Sequence, residues 1–339
     1  MKKLFIGIIL LGFISFVGWQ NRVSLLMFGI PILFNIMDPI AEEGLVNWSE
    51  GPNEASSDPS KRPPNIILIL ADDMGFNDLS LYNGGAGDGS LMTPNIDALG
   101  LEGVIFDNGY AANAVCAPSR ATIMTGRYST RFGFEFTPFP KIGITIMQWM
   151  QDTAEEEPKL KTFIDFDLAS KRGDILDLGM PSEQITIAEI LKDKGYYTAH
   201  IGKWHLGQME GSHPIDQGFD DSLSMIGTLY LPEDHPKVVN ARNYDDPIDN
   251  MVWTVGRFSA SFNKSDDFEP DEYLTDYYTN NAIKVIEENK NRPFFLYLGH
   301  WAIHNPLQSL KSDYDLHSYS GNHTLSVYSG MIEALDRSV

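Results

Sequence analysis

The chain has a single cysteine, Cys116, in 339 residues. That excludes an intramolecular disulfide and any zinc site built on several thiolates. Positive charge is also scarce. Twenty-five lysines and arginines face 46 acidic residues, giving a formal net charge of −21 and a pI of about 4.6. A field of that sign repels nucleic acid, and any site for an anion must bring its own local cations. Internal repeats are absent as well. Apolar material is not lacking: 43% of residues are hydrophobic and 21% charged, enough for a sizeable core. The length suits one large α/β domain or two ordinary ones.

Lys2 and Lys3 precede an apolar run from Leu4 to Trp19, the order of an export signal. The run is near the short limit for a membrane span, which needs roughly 20 residues. No clear small-x-small cleavage site follows; a second apolar stretch, Val23 to Met37, comes instead. Three readings stay open: a cleaved signal peptide, an uncleaved anchor with an interfacial second segment, or a buried core helix. The first two put the remainder outside the cytoplasm, in a periplasm or extracellular space. Residues 1–40 are thus expected to be a signal or anchor. Residues 41–64, rich in Pro, Ser, Gly and charge, are expected to be a linker, with the folded domain over 65–339.

Three short apolar runs read as buried parallel strands that end in polar residues. "NIILILADDMG" ends at Asp72 and Asp73. "YYTAHIGKWHLG" follows a helix near Ile187–Lys194 that opens with the capping-box pattern Thr186-x-x-Glu189 and closes at Gly195. "PFFLYLGHWAIHNP" follows a helix expected from Leu274 to Asn289. Helix–strand alternation with functional groups just past strand ends predicts an α/β fold with a mostly parallel central sheet flanked by helices. Each polar cluster also has an ordinary reading. Asp72-Asp73 could cap a turn, or supply hard oxygens for Ca²⁺ or Mg²⁺. Lys203 and His205 could be a solvated lysine and a half-buried histidine, or could face one anion together. His300 and His304 could each simply cap a strand.

The stretch around the cysteine is denser in signals. In "VCAPSRATIMTGR", Pro118 suits a first helical turn, and "SRATIMTG" reads as a short helix ended by Gly126. Cys116 then lies just before a helix N-terminus, with Arg120 able to reach back over the first turn. That setting favours a bound anion and predicts a depressed thiol pKa.

"CAPSRATIMTGR" resembles the type I sulfatase signature, Cys-x-Pro-Ser-Arg followed by x4-Thr-Gly-Arg. "NIILILADDMGFNDL" resembles that family's first strand with its paired metal aspartates, and "GKWHLG" its Lys-x-His segment. With "HNP" the agreement spans Asn65 to Pro306, which identifies the chain as a member of the sulfatase group of the alkaline-phosphatase superfamily. The resemblance implies that a formylglycine-generating enzyme oxidises Cys116 to formylglycine. The hydrated aldehyde would attack sulfur, form a covalent sulfo-enzyme, and expel sulfate through its second hydroxyl. It further implies that Asp72, Asp73 and the oxygen at position 116 bind a divalent cation, Ca²⁺ or alternatively Mg²⁺. By the same resemblance Arg120 holds the nucleophile and Lys203 neutralises the sulfuryl oxygens. His205 would accept a proton in the elimination, and His304, a better match than His300, would be the general acid. The substrate would be a sulfated small molecule or carbohydrate.

The resemblance is incomplete. The family's further Asp-Asn metal pair and second lysine have no counterpart. Asp107-Asn108-Gly109 falls in the stretch resembling the strand that leads into the cysteine, and is read as a coincidence. The C-terminal part of the fold is therefore expected to be missing, leaving weak metal binding, an exposed sheet edge, and a chain that alone is inactive or poorly folded. Two competing readings are a phosphonate or phosphodiester hydrolase of the same superfamily and a non-catalytic, membrane-tethered binding protein. Residues Thr137–Pro181 and Gln208–Glu272 are expected to be specificity walls or solvated insertions. Asn47, Asn263 and Asn322 open glycosylation triplets that matter in a eukaryotic source.

Overall fold

The polar-free run at 66–70 forms a strand, as its composition requires. Numbered along the chain, the strands are β1 (Ile66–Leu70), β2 (Tyr197–Gly202), β3 (Asp221–Met225), β4 (Val238–Ala241), β5 (Ala260–Phe262), β6 (Phe294–Gly299) and β7 (Leu307–Leu310). The helices are α1 (Arg22–Met37), α2 (Pro94–Glu102), α3 (Cys116–Thr125), α4 (Lys141–Thr153) and α5 (Phe166–Lys171). They continue with α6 (Ile187–Asp193), α7 (Pro247–Val255), α8 (Leu274–Asn289), α9 (Lys311–Leu316) and α10 (His323–Ser338). This computed structural model describes residues 19, 21–55, 58–82, 85–86, 89–138, 141–153, 163–173, 175–244, 246–318 and 321–339. The expected export run lies outside them apart from Trp19.

The chain forms two compact units. The larger comprises Ile40–Phe139, Gly173–Arg242 and Gly256–Val339. Its main sheet has the order β1-β6-β2-β3-β5, with β5 alone antiparallel, and β4 pairs β7 in a separate antiparallel ribbon. Every residue of β2 and β6 is buried, as expected for parallel strands covered on both faces. α8 packs on both strands and α6 on β2. The mostly parallel α/β class read from the sequence is therefore correct. β1 has β6 as its sole partner among the described residues, and Ile67 is 46% exposed.

Local chemistry sets the element ends. Thr186 and Glu189 close a reciprocal capping box on α6, and Gly195 turns the chain at φ +85° toward β2. α3 lays Ala117, Ala121 and Met124 into a core shared with Trp204, Phe219, Phe295 and Tyr297. Small side chains four residues apart on one helix face allow that close approach.

One expectation needs correction. The segment read as a linker is strapped to the larger unit over much of its length. The amide of Ala41 donates to the Asp267 carbonyl and that of Glu269 to the Ala41 carbonyl, both at 2.9 Å. Trp48 is buried, its indole N–H 3.0 Å from Asn281 Oδ1; the Ser49 amide reaches the Asp221 carboxylate at 2.9 Å, and Gly51 the Glu288 carbonyl at 3.0 Å. Composition marks a segment as loop-like, but one buried aromatic and a few main-chain hydrogen bonds suffice to dock it. The two long insertions carry regular structure. The first supplies α4 and α5 and the second α7 to the smaller unit, while the second also carries β3, β4 and β5.

The smaller unit comprises Met1–Pro39, Pro140–Arg172 and Asn243–Val255. Within it α1, α4 and α7 pack on one another. The apolar stretch Val23–Met37 is thus a helix in a small bundle. No helix among the described residues is long and apolar enough to cross a membrane. Asn263, one of the three triplet asparagines, lies in the larger unit with its amide committed. It accepts from the Ser222 amide and donates to Asp221, each at 2.7 Å.

Candidate active site

β1, β6 and β2 are neighbours in the sheet although the chain visits them far apart, so their carboxyl ends converge. Three polar clusters follow those ends: Asp72-Asp73 after β1, Lys203 and His205 after β2, and Trp301 and His304 after β6. Between β1 and β6 the pairing continues past the strands. The Asp72 amide donates to the Ala302 carbonyl at 2.9 Å, and the Ile303 amide donates to the Asp72 carbonyl at 2.8 Å.

α3 brings the fourth element. Val115 is its extended N-cap, and Gly126 ends it in the left-handed region at φ +64°, its N–H donating to the Thr122 carbonyl. Cys116 is therefore the first helical residue rather than the one before the helix. Arg120, one turn on, is 2% exposed. Its Nη1 donates to the Lys203 carbonyl and the Tyr297 hydroxyl, each at 2.8 Å, and its Nη2 lies 3.5 Å from Asp72 Oδ1. Lys203, also buried, pairs with Asp72 Oδ2 and sits 4.3 Å from the centroid of the Trp301 ring.

His304 stacks on Trp301 with ring centroids 3.8 Å apart. Its Nδ1 is 2.6 Å from the Asn305 carbonyl, a contact that assigns the proton to Nδ1 and leaves Nε2 as the free lone pair, 3.5 Å from Asp73 Oδ2. Cys116 Sγ lies 4.0 Å from Asp73 Oδ1. One ligand atom each from Asp72, Cys116 and His304 lie within 4.8 Å of one another. The structure thus gathers Asp72, Asp73, Cys116, Arg120, Lys203 and His304 into one cluster.

His205 belongs to the same electrostatic neighbourhood. Burial, then the charges of Lys203 and Arg120, push its pKa down to about 3, so the ring is neutral. Its Nδ1 is buried with no partner among the described residues. The ring also lines a cavity of about 350 Å³ with Trp204, Gln208, His213, Ser224 and Lys264. Asp73 and His205 both adopt left-handed backbone, at φ +62° and +63°. Non-glycine residues there cost about 1–3 kcal/mol each and concentrate where the surroundings hold a side chain in place for function. His300 is elsewhere: fully buried, with Nε2 2.8 Å from Ser338 Oγ and a pKa pushed by burial to about 4.

The charges are matched locally. Burial alone would raise the Asp72 pKa, but Lys203, Arg120 and His304 outweigh it and hold the carboxylate below its ordinary range. Burial lowers the Lys203 pKa against the pull of Asp72. The expected depression of the Cys116 thiol does not occur. Burial first, then Asp72 and Asp73 against the opposing pull of Lys203, raise its pKa. Residue 116 is therefore not poised as a thiolate.

Sequence reasoning missed Tyr297 and Trp301, and offered Tyr230 as an aromatic to stack on a sugar or aryl ring, whereas its side chain is fully buried. Tyr297 anchors Arg120, Trp301 underlies both Lys203 and His304, and buried Tyr230 donates to the carbonyls of Trp301 at 3.0 Å and His304 at 2.9 Å. Of the two missed, only Tyr297 left a trace, as a polar-tipped aromatic inside the apolar run "FFLYLG".

Comparison with known proteins agrees with this geometry. Residues 64–339 match the sulfatase family model. The chain is 30% identical over 290 residues to the N-acetylgalactosamine-6-sulfatase of Canis lupus familiaris, covering 82% of this chain and 46% of the relative. It is 31% identical over 261 residues to the Homo sapiens N-acetylgalactosamine-6-sulfatase, covering 74% and 41%. The crystal structure of Ps i-CgsB in complex with k-i-k-neocarrahexaose superposes with a TM-score of 0.60 at 29% identity, covering 81% of this chain and 53% of that one. The chain spans about half the length of the curated relatives it matches. Fold, motifs and matched length agree: the chain belongs to the sulfatase family.

Proposed function

We propose that the protein containing this chain hydrolyses sulfate esters, taking R–O–SO₃⁻ and water to R–OH and sulfate. The observation that carries this reading is the buried cationic pair, Arg120 and Lys203, locked on Asp72 beside Cys116 and His304. In a chain of net charge −21 these two side chains, together with the cation that Asp72 and Asp73 would hold, would supply the local positive potential a sulfate needs.

The donor set fits a divalent cation. Asp72 is held ionised, Asp73 offers an exposed carboxylate, and both oxygens are hard ligands of the kind Ca²⁺ and Mg²⁺ take. Asp72, Asp73 and the side chain at 116 would hold it, and it would supply Lewis-acid polarisation. Formylglycine at position 116 would supply, once hydrated, two hydroxyls on one carbon, one to attack sulfur and one to drive the later elimination.

The chain's own residues do the rest. Arg120 is fixed by the Tyr297 hydroxyl and the Lys203 carbonyl, so it orients the side chain at 116 without moving. Lys203, backed by the Trp301 face, offsets negative charge on the sulfuryl oxygens. His304, held through its Nδ1–H, acts as general acid only after Nε2 has taken up a proton, which it then passes to the leaving oxygen. Neutral His205 accepts the proton of the elimination.

The relatives' names favour a sulfated carbohydrate as substrate. The apolar run after Lys2-Lys3 supports export, to a periplasm or the extracellular space, with retention at a membrane. Peptide mass spectrometry across Cys116 tests the reading. Formylglycine lowers the peptide mass by the difference between CH₂SH and CHO, and unmodified cysteine in a host with the modifying enzyme refutes it. Turnover of a phosphonate monoester in preference to sulfated sugars would move the protein to the phosphonate hydrolases.

A further inference from the structure

α1 contains no charged residue from Val23 to Met37. One part of its surface packs on α4 and α7. Another remains bare: Leu25, Gly29, Ile32 and Ile36 repeat at intervals of four, three and four, which places them along one helical face, and all four are exposed. Leu33 and Met37 widen the stripe, and Ile36 and Met37 are more than 70% exposed. At its amino end Trp19 is exposed, with the Arg22 guanidinium 4.5 Å over its ring. A continuous apolar stripe of about three turns, edged by a tryptophan and an arginine, is costly in water.

We infer that this stripe rests in the surface of a lipid bilayer, with the smaller unit lying in the plane of the membrane. Three observations select lipid. The stripe is continuous in sequence with the apolar run Leu4–Gly18, which a bilayer accepts and a water-soluble partner does not. α1 has 16 residues, about 24 Å of rise, too short for a hydrocarbon core of about 30 Å. Such a helix therefore lies along the interface rather than crossing it. The paired Trp19 and Arg22 are the residue types that settle at the boundary between acyl chains and headgroups. α4 and α7, drawn from two insertions far along the chain, then brace the stripe from the protein side. Because the chain is strongly acidic, attachment rests on apolar burial and not on headgroup charge.

The experiment is flotation of the whole protein with phosphatidylcholine vesicles, at low and high salt. Binding is expected in both, and in an Ile32→Glu/Ile36→Glu variant the partition coefficient should fall by at least about tenfold, since charge on the buried face of an interfacial helix opposes insertion. Ile36→Glu alone, at a position 74% exposed, should give a smaller fall with an unchanged circular dichroism spectrum. Leu101→Glu, an exposed apolar site of the larger unit, should float as the native protein does. Native flotation by the double variant would assign binding to residues 4–18 alone and overturn the inference. So would salt-reversible binding, or a native protein that ignores vesicles and instead forms a dimer that the double variant abolishes.

Discussion

Removing the Tyr297 hydroxyl tests the core of the site. In Tyr297→Phe the Arg120 Nη1 keeps the Lys203 carbonyl and loses one charge-assisted hydrogen bond of 2.8 Å. Because no charge is left wholly unpaired, the expected loss of stability is about 1–2 kcal/mol. Arg120→Lys is harsher. A single ammonium cannot reach the Lys203 carbonyl, the Tyr297 hydroxyl and Asp72 together, so partners of a buried ion pair are stranded, at a cost of about 3–5 kcal/mol. The two effects share one bond, so the double variant should fall short of their sum by about 1–2 kcal/mol. Urea unfolding of all four proteins measures this. Additivity within about 0.5 kcal/mol would mean that Tyr297 does not hold the guanidinium, and the positioning argument would fail. Both single variants should also lower the turnover of sulfated substrate.

Trp48→Ala should cost about 3–5 kcal/mol in unfolding free energy and open residues 40–55 to proteolysis; a free linker would show neither effect. Gly126→Ala should cost about 1–2 kcal/mol from backbone strain alone, because its Cβ would meet nothing within 4 Å, and Gly126→Asn less. Acid should destabilise the fold through its depressed histidines, His200 and His300 among them along with His205 and His213. Burial, with His213 and Arg120, depresses His200 to about 3 beside Ser222 and Tyr297, and burial depresses His300 to about 4. The unfolded chain therefore binds more protons below its ordinary histidine pKa of 6.5. Stability present above that pH is lost as pH falls toward 4, at about 1.4 kcal/mol per pH unit for each histidine. Thermal melts across pH 4–7 check this, and a His300→Gln variant should show a shallower slope.

Elements fixed by local chemistry were legible in the sequence. The β1 run, the Thr186 capping box, the Gly126 stop of α3 and the apolar face of α8 each signal through neighbours within a few residues. What stayed hidden depends on distant partners. β3 reads as "DSLSM", too polar to mark a buried strand until Ser222 meets His200 and Asp221 meets Ser49 and Tyr197. Trp48 finds Asn281 across 233 positions. At the candidate site, Asp72, Cys116, Arg120, Lys203 and His304 were readable from motifs, whereas the roles of Tyr230 and Trp301, which act through main-chain carbonyls and ring faces, carry no spacing signal.

The reciprocal main-chain bonds between Asp72 and the Ala302–Ile303 stretch make one hinge-free jaw of two strand ends. The carboxylate at 72 and the imidazole at 304 are borne on backbones that part only when both of these bonds break. Hydrogen exchange at the amides of Asp72 and Ile303 therefore reports the integrity of the candidate site, and under the proposed function turnover should be lost in the same local opening event.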